Sequence, residues 1–133
     1  MLWLLDTDTS SYAIRGVAAA LDTALASAAP GTLAISSITR AELMFGLEKR
    51  SNPRALTHLV QAFLDRVTVL PWDTAAADCY ARLRVQLDRS GTPIGMFDTM
   101  IAGHALALGA VLVTNNQKHF RHVKGLKLEN WIG

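Results

Sequence analysis

Four consecutive apolar residues, Leu2-Trp3-Leu4-Leu5, run directly into Asp6-Thr7-Asp8 at the start of the chain. So short a run, apolar at every position, reads as a strand buried on both faces that ends at a carboxylate. We place it as the central strand of a parallel sheet. Ligands gather in the crevice beyond the carboxyl ends of such strands, so Asp6 is aimed at the functional edge.

The rest of the chain alternates helical periodicity with further short apolar runs. Asp8-Thr9-Ser10 offers capping side chains to a helix whose stripe is Val17, Leu21, Leu25 and Ala28, stopped by Pro30-Gly31. Thr32 to Ser36 is a strand ending in hydroxyls, and Thr39 to Lys49 a helix with Glu42 near its start. Asn52-Pro53 opens a helix facing inward through Leu56, Val60, Phe63 and Val67, followed by the strand Val67 to Leu70. Asp73 caps a longer helix with Ala76, Tyr80, Leu83 and Leu87 as its stripe, ended by Ser90-Gly91. Thr92 to Gly95 is a loop, Asp98 opens a helix through Leu108, and Ala110 to Val113 is another buried strand that delivers Thr114-Asn115-Asn116. A helical turn near Phe120 and an extended segment through Leu128 close the chain. This alternation predicts a three-layer α/β/α fold with a mainly parallel sheet. Right-handed crossovers bring all the strand ends, and with them Asp6, Ser36 to Glu42 and Thr114 to Asn116, to one edge. Asp98 joins them from a helix start.

Length adds that residues 1–133 form a single domain, large enough to bury roughly two-thirds of the unfolded chain's surface. No run approaches the ~20 apolar residues of a membrane span, and the apolar start lacks a basic leader, so a soluble cytoplasmic protein with no membrane role is expected. Cys79 has no internal partner and falls on the inner stripe of its helix, where a buried, inert thiol is the expectation.

Each acid has an ordinary explanation taken singly. Asp8 and Asp98 suit N-caps, and Thr39-Arg40-Ala41-Glu42 has the spacing of a capping box. Gathered at one strand edge, however, Asp6, Glu42 and Asp98 would repel one another enough to raise their pKa values or to demand a cation. Hard oxygen ligands suit Mg²⁺ or Mn²⁺. With those three withdrawn as ligands, eight acids face thirteen Lys and Arg, a surplus that suits a polyanion.

Four segments carry a resemblance that covers essentially the whole chain. They are Leu4 to Thr7, Ser36 to Gly46, Gly91 to Ala105 (Gly-Thr-Pro-Ile-Gly-Met-Phe-Asp-Thr-Met-Ile-Ala-Gly-His-Ala) and Leu112 to Asn116, with Gly125 to Trp131 in support. In this order they closely resemble the VapC toxins of the PIN-domain ribonucleases. The resemblance implies a PIN fold, a Mg²⁺- or Mn²⁺-dependent endoribonuclease that cuts structured RNA such as tRNA, a VapB-like antitoxin that inhibits it, and a homodimer. Position by position, Asp6, Glu42 and Asp98 match the acidic metal site. Asn116 falls where many members carry a fourth acid, and Thr114 matches the hydroxyl beside it. Asp8 stands where Asn is usual and Met96 where Pro is common. The implied chemistry is metal-activated water attacking a phosphodiester, with Glu42 as ligand or as base.

Two other readings stand beside it. Asp6-Thr7-Asp8-Thr9-Ser10 nearly reproduces the nucleophile motif of haloacid-dehalogenase-like phosphatases, although that leaves Glu42 and Asp98 without a role. The same scaffold could instead be a non-catalytic RNA- or partner-binding domain whose acids are caps. Among the remaining side chains, His104 reads as packing or surface, and His119 to His122 as a poor zinc signal. Arg82, Arg84, Lys118, Arg121 and Lys124 are candidate RNA contacts against a default of solvated charge. Trp3, Trp72 and Trp131 read as packing residues.

Overall fold

The structure, a computed structural model describing residues 1–133, contains five short strands. They are β1 (Trp3–Leu5), β2 (Leu33–Ser36), β3 (Thr68–Leu70), β4 (Val111–Val113) and β5 (Lys127–Glu129). Their order across the sheet is β3-β2-β1-β4-β5, and every pairing is parallel. The apolar run at the start of the chain is thus the central strand, as its burial on both faces requires.

The intervening helices are α1 (Thr7–Arg15), α2 (Ala19–Ser27), α3 (Ser37–Lys49), α4 (Arg54–Leu64), α5 (Thr74–Arg89), α6 (Met96–Leu108) and the single turn α7 (Gln117–Phe120). Because neighbouring strand residues point to opposite faces, each strand feeds two cores. Leu4, Ala34 and Leu112 pack against α5, α6 and Phe120, while Leu5, Ile35 and Val113 pack against α1 to α4. The result is the expected three-layer sandwich.

Two boundaries and one burial differ from expectation. The first helix is two helices, because Gly16 ends α1 in a left-handed conformation (φ 65°) and its amide caps Tyr12 and Ala13. Val17, predicted to lie on the inner stripe, is consequently exposed. At the other site helix, α6 starts at Met96 rather than Asp98. Cys79 is half-buried rather than buried, with Arg82 Nη2 3.4 Å from its sulfur.

Layer α5–α6 is packed closely. A Cβ placed on Gly103 would lie 2.9 Å from the Tyr80 backbone nitrogen, so only glycine permits this approach of the two helices. The indole of Trp72 donates to the Met100 carbonyl at 2.9 Å and meets Tyr80 edge-on. Trp3 and Trp131 pack on one another at the opposite side of the sheet. No helix is long and apolar enough to cross a membrane.

Candidate active site

Asp6 leaves β1 and becomes the N-cap of α1. Its Oδ1 accepts the Thr9 amide at 2.8 Å, and its own amide is tied to the Val113 carbonyl of β4. The carboxylate is 3% exposed. Burial raises its pKa, opposed by the Thr114 hydroxyl and the Thr9 amide, which favour the charged form. Thr9 Oγ1 is itself fully buried and makes no well-formed hydrogen bond. Thr114, at the end of β4, is thus beside Asp6, as the strand order requires.

Glu42 is not part of a capping box. Ser36 caps α3 through the Ile38 amide, so Thr39 lies inside the helix and Glu42 a full turn beyond its start. The Glu42 carboxylate turns toward α1 and accepts the Thr7 hydroxyl at 2.6 Å, while Thr39 Oγ1 stands 3.1 Å from that same hydroxyl. Asp98 is no cap either: Gly95 takes that position in α6, without a side-chain bond. Asp8, in the first turn of α1, is exposed and leaves the capping to Asp6.

Asp98 is pushed up to about 6, by burial first and then by the neighbouring charges of Asp6 and Glu42, with His119 opposing. Carboxylates from three separated segments therefore share one field. No three His, Cys, Asp or Glu side chains stand close enough to chelate an ion directly. The donor set nevertheless fits a hydrated divalent cation, because it is all hard oxygen, its members repel one another, and Mg²⁺ keeps several of its waters when bound.

His119, read from sequence as a poor zinc signal, is the partner that spacing missed. Its Nε2 donates to the Ile94 carbonyl at 2.6 Å and lies 3.2 Å from Asp98 Oδ2, so one N–H serves two acceptors. Thr7 was missed as well. Neither could be found by periodicity, since each meets its carboxylate across a tertiary contact. Asn116 is exposed, and its backbone amide donates to Thr114 Oγ1 at 3.0 Å. His104 is buried packing: Nδ1 is 2.9 Å from Ser36 Oγ, and burial lowers its pKa.

Comparison with known proteins decides the family. The PIN domain model matches residues 3–126. The chain belongs to the PIN-domain family. Within it, the VapC group is the match. The tRNA(fMet)-specific endonuclease VapC of Shigella flexneri is 38% identical over 129 residues, 97% of each chain. Among solved PIN structures, VapBC2 of Rickettsia felis bound to a promoter DNA fragment superposes with a TM-score of 0.92 at 36% identity, covering 98% of this chain and 99% of that one. DNA-bound VapBC of Salmonella typhimurium gives 0.91 at 39% identity, with coverage of 98% and 99%. PIN-domain nucleases are in general divalent-metal dependent, which agrees with the oxygen-only donor set of this PIN domain.

Proposed function

We infer that this chain is the toxin of a type II toxin–antitoxin pair, one PIN domain over residues 1–133 that acts in the cytoplasm as a metal-dependent endoribonuclease on structured RNA, tRNA included. The observation that carries this reading is the shared field of Asp6, Glu42 and Asp98 at the carboxyl edge of the sheet. Capping explains only one of the three. The phosphatase reading wants Asp8 as a working partner of Asp6 and has no use for the other two acids.

Asp6, Asp98 and Glu42 would hold Mg²⁺ or Mn²⁺. When bound, that ion supplies a water of lowered pKa and neutralises charge on the phosphoryl oxygens. The chain does the positioning. Thr114 and the Thr9 amide fix Asp6 and oppose the rise that burial imposes on its pKa, Thr7 aims Glu42, and His119 holds Asp98 against its neighbours' repulsion. Glu42 is the side chain free to take a proton from the attacking water, since its second oxygen makes no bond within the chain. Departure of the ribose 3′ oxygen then leaves 5′-phosphate and 3′-hydroxyl ends.

A VapB-like antitoxin is the inhibitory partner, and the toxin pairs with itself as a homodimer. A cavity of about 300 Å³ between α1, α3 and α4, lined by Ile14, Leu43, Leu47 and Val60 with Glu42 among its polar residues, suits an antitoxin segment that combines apolar side chains with a cation.

Purified protein incubated with total tRNA tests the reading. Cleavage should need Mg²⁺ or Mn²⁺, stop with EDTA and disappear in Asp98→Ala. Undiminished cleavage after exhaustive chelation would overturn it.

A further inference from the structure

A second polar cavity adjoins the carboxylates from the opposite end of the sequence. The loop from Thr92 to Ile94 and the segment from Asn116 to His122 border an open cavity of about 270 Å³. This cavity shares no lining residue with the groove beside Glu42. No acid lines it, and Lys118 is among its lining residues. His119 forms the wall common to both sites, since the same imidazole that lines the cavity touches Asp98.

We propose that this cavity is a phosphate subsite, which holds a backbone phosphate of the RNA beside the one being cleaved. The proposal rests on the ribonuclease reading and names how that substrate is gripped.

Three observations carry it. Thr92 lines the cavity, and its hydroxyl is buried without a partner in the chain. A buried hydroxyl is costly to leave unpaired, a cost relieved when its side chain turns to meet an acceptor bound in the cavity. Second, the other polar side chains that line it are of the right kind and no carboxylate is among them: Lys118, Asn116 and His122. Third, the walls are fixed. Ile94 is buried and its carbonyl is held by His119 at 2.6 Å. On the other side Phe120 and Val123 are buried, and Gln86 Nε2 donates to the His122 carbonyl at 3.1 Å. The volume lies just below the roughly 300–1,000 Å³ of drug-sized ligand sites, which suits a phosphate and part of its sugar rather than a whole base stack. Because His119 sits between the cavity and Asp98, it sets the distance from the gripped phosphate to the cleaved one.

The test uses the full chain and a single-stranded 12-nucleotide RNA, with binding followed by fluorescence anisotropy in EDTA, where no cleavage interferes. Lys118→Gln should weaken binding about tenfold at low salt and flatten the slope of log Kd against log salt by about 0.7, the value of one single-strand phosphate contact. Thr92→Val, of nearly the same shape, should weaken binding about threefold and leave the slope unchanged, as loss of an uncharged donor does. Lys118 is exposed, so its variant should melt with the parent. Lys127→Gln, on exposed β5, should change neither quantity.

With Mg²⁺ present, Lys118→Gln should raise KM and spare kcat. Equal losses in Lys118→Gln and Lys127→Gln would show a diffuse field rather than a site and would overturn the proposal, as would unchanged binding in Lys118→Gln. Total tRNA that is bound through Lys118 yet never cut with Mg²⁺ or Mn²⁺ present would instead overturn the ribonuclease reading and leave the subsite standing.

Discussion

The imidazole of His119 stands 3.2 Å from the carboxylate of Asp98 while donating to the Ile94 carbonyl, so a residue beyond β4 restrains an acid at the start of α6. His119 lowers the Asp98 pKa that burial, Asp6 and Glu42 together push up to about 6. In His119→Ala the Asp98 pKa should therefore rise further. The acidic limb of the kcat/KM profile should move to higher pH, with a larger loss at pH 6.5 than at pH 8.5. A profile merely scaled down at every pH would remove His119 from this role.

Asp98 also links stability to pH. Its pKa is raised in the folded chain from 3.8 to about 6, so the fold binds this proton more tightly than the unfolded chain does. The stabilisation is complete below about pH 4 and is lost as pH rises through about 6. Asp98→Asn keeps a neutral side chain throughout. Its melting temperature should match the parent near pH 4 and exceed it at pH 7 without metal, and Mn²⁺ should stabilise the parent far more than the variant. A gap that is already present at pH 4 would contradict the account.

Thr7→Val removes the 2.6 Å hydrogen bond to Glu42 and, with it, the 3.1 Å contact that pairs the buried Thr39 hydroxyl. Hydrogen bonds to charged groups contribute about 1.5–3 kcal/mol, so kcat should fall about tenfold or more. Stability should also fall, by about 1–3 kcal/mol for the unpaired Thr39 hydroxyl, and Thr39→Val should reproduce that loss while sparing kcat. Single-turnover kinetics and a melt on the same preparation separate the two effects.

Gly103→Ala tests the packing behind the site. The new methyl group meets backbone rather than a movable side chain, 2.9 Å from the Tyr80 nitrogen. Overpacking of this kind costs about 1–3 kcal/mol, and denaturant unfolding should show it as a lower midpoint. An unshifted midpoint would mean that α5 and α6 separate more easily than their close contact suggests.

Asn116→Asp should have opposite effects on the two ligands. A carboxylate there, just beyond β4 and so at the sheet edge where Asp6 lies, adds a hard donor and should tighten Mn²⁺ binding in the absence of RNA, which calorimetry can measure. Because Asn116 also lines the cationic cavity, the same charge should raise KM for RNA. Asp8→Asn, at an exposed position of α1, should leave Mn²⁺ binding largely intact.

Much of the architecture could be read from apolar runs alone. Leu2 to Leu5 announced a strand well inside the sheet because an unbroken apolar run needs cover from both outer layers. Gly16 was harder: Val17 continues the spacing of Leu21 and Leu25, and only the left-handed turn at Gly16 throws Val17 outward. The α6 start was masked likewise, because Met96 and Phe97 are exposed and add nothing to the inner stripe. The acids were visible as strand-end and helix-start residues. Their supporting partners were not, since Thr7 to Glu42 and His119 to Asp98 are contacts between segments that no local pattern links.

Leu4 and Leu5 are consecutive, yet they belong to different cores, so the backbone that carries Asp6 is a party wall between two rooms. With only three residues in β1, that wall has no slack to absorb a shift on either side. Loosening α5 and α6 pulls at Leu4, loosening α1 to α4 pulls at Leu5, and both strains arrive one or two residues later at the same carboxylate. Anything that grips either outer layer therefore has mechanical leverage over Asp6 without ever touching it.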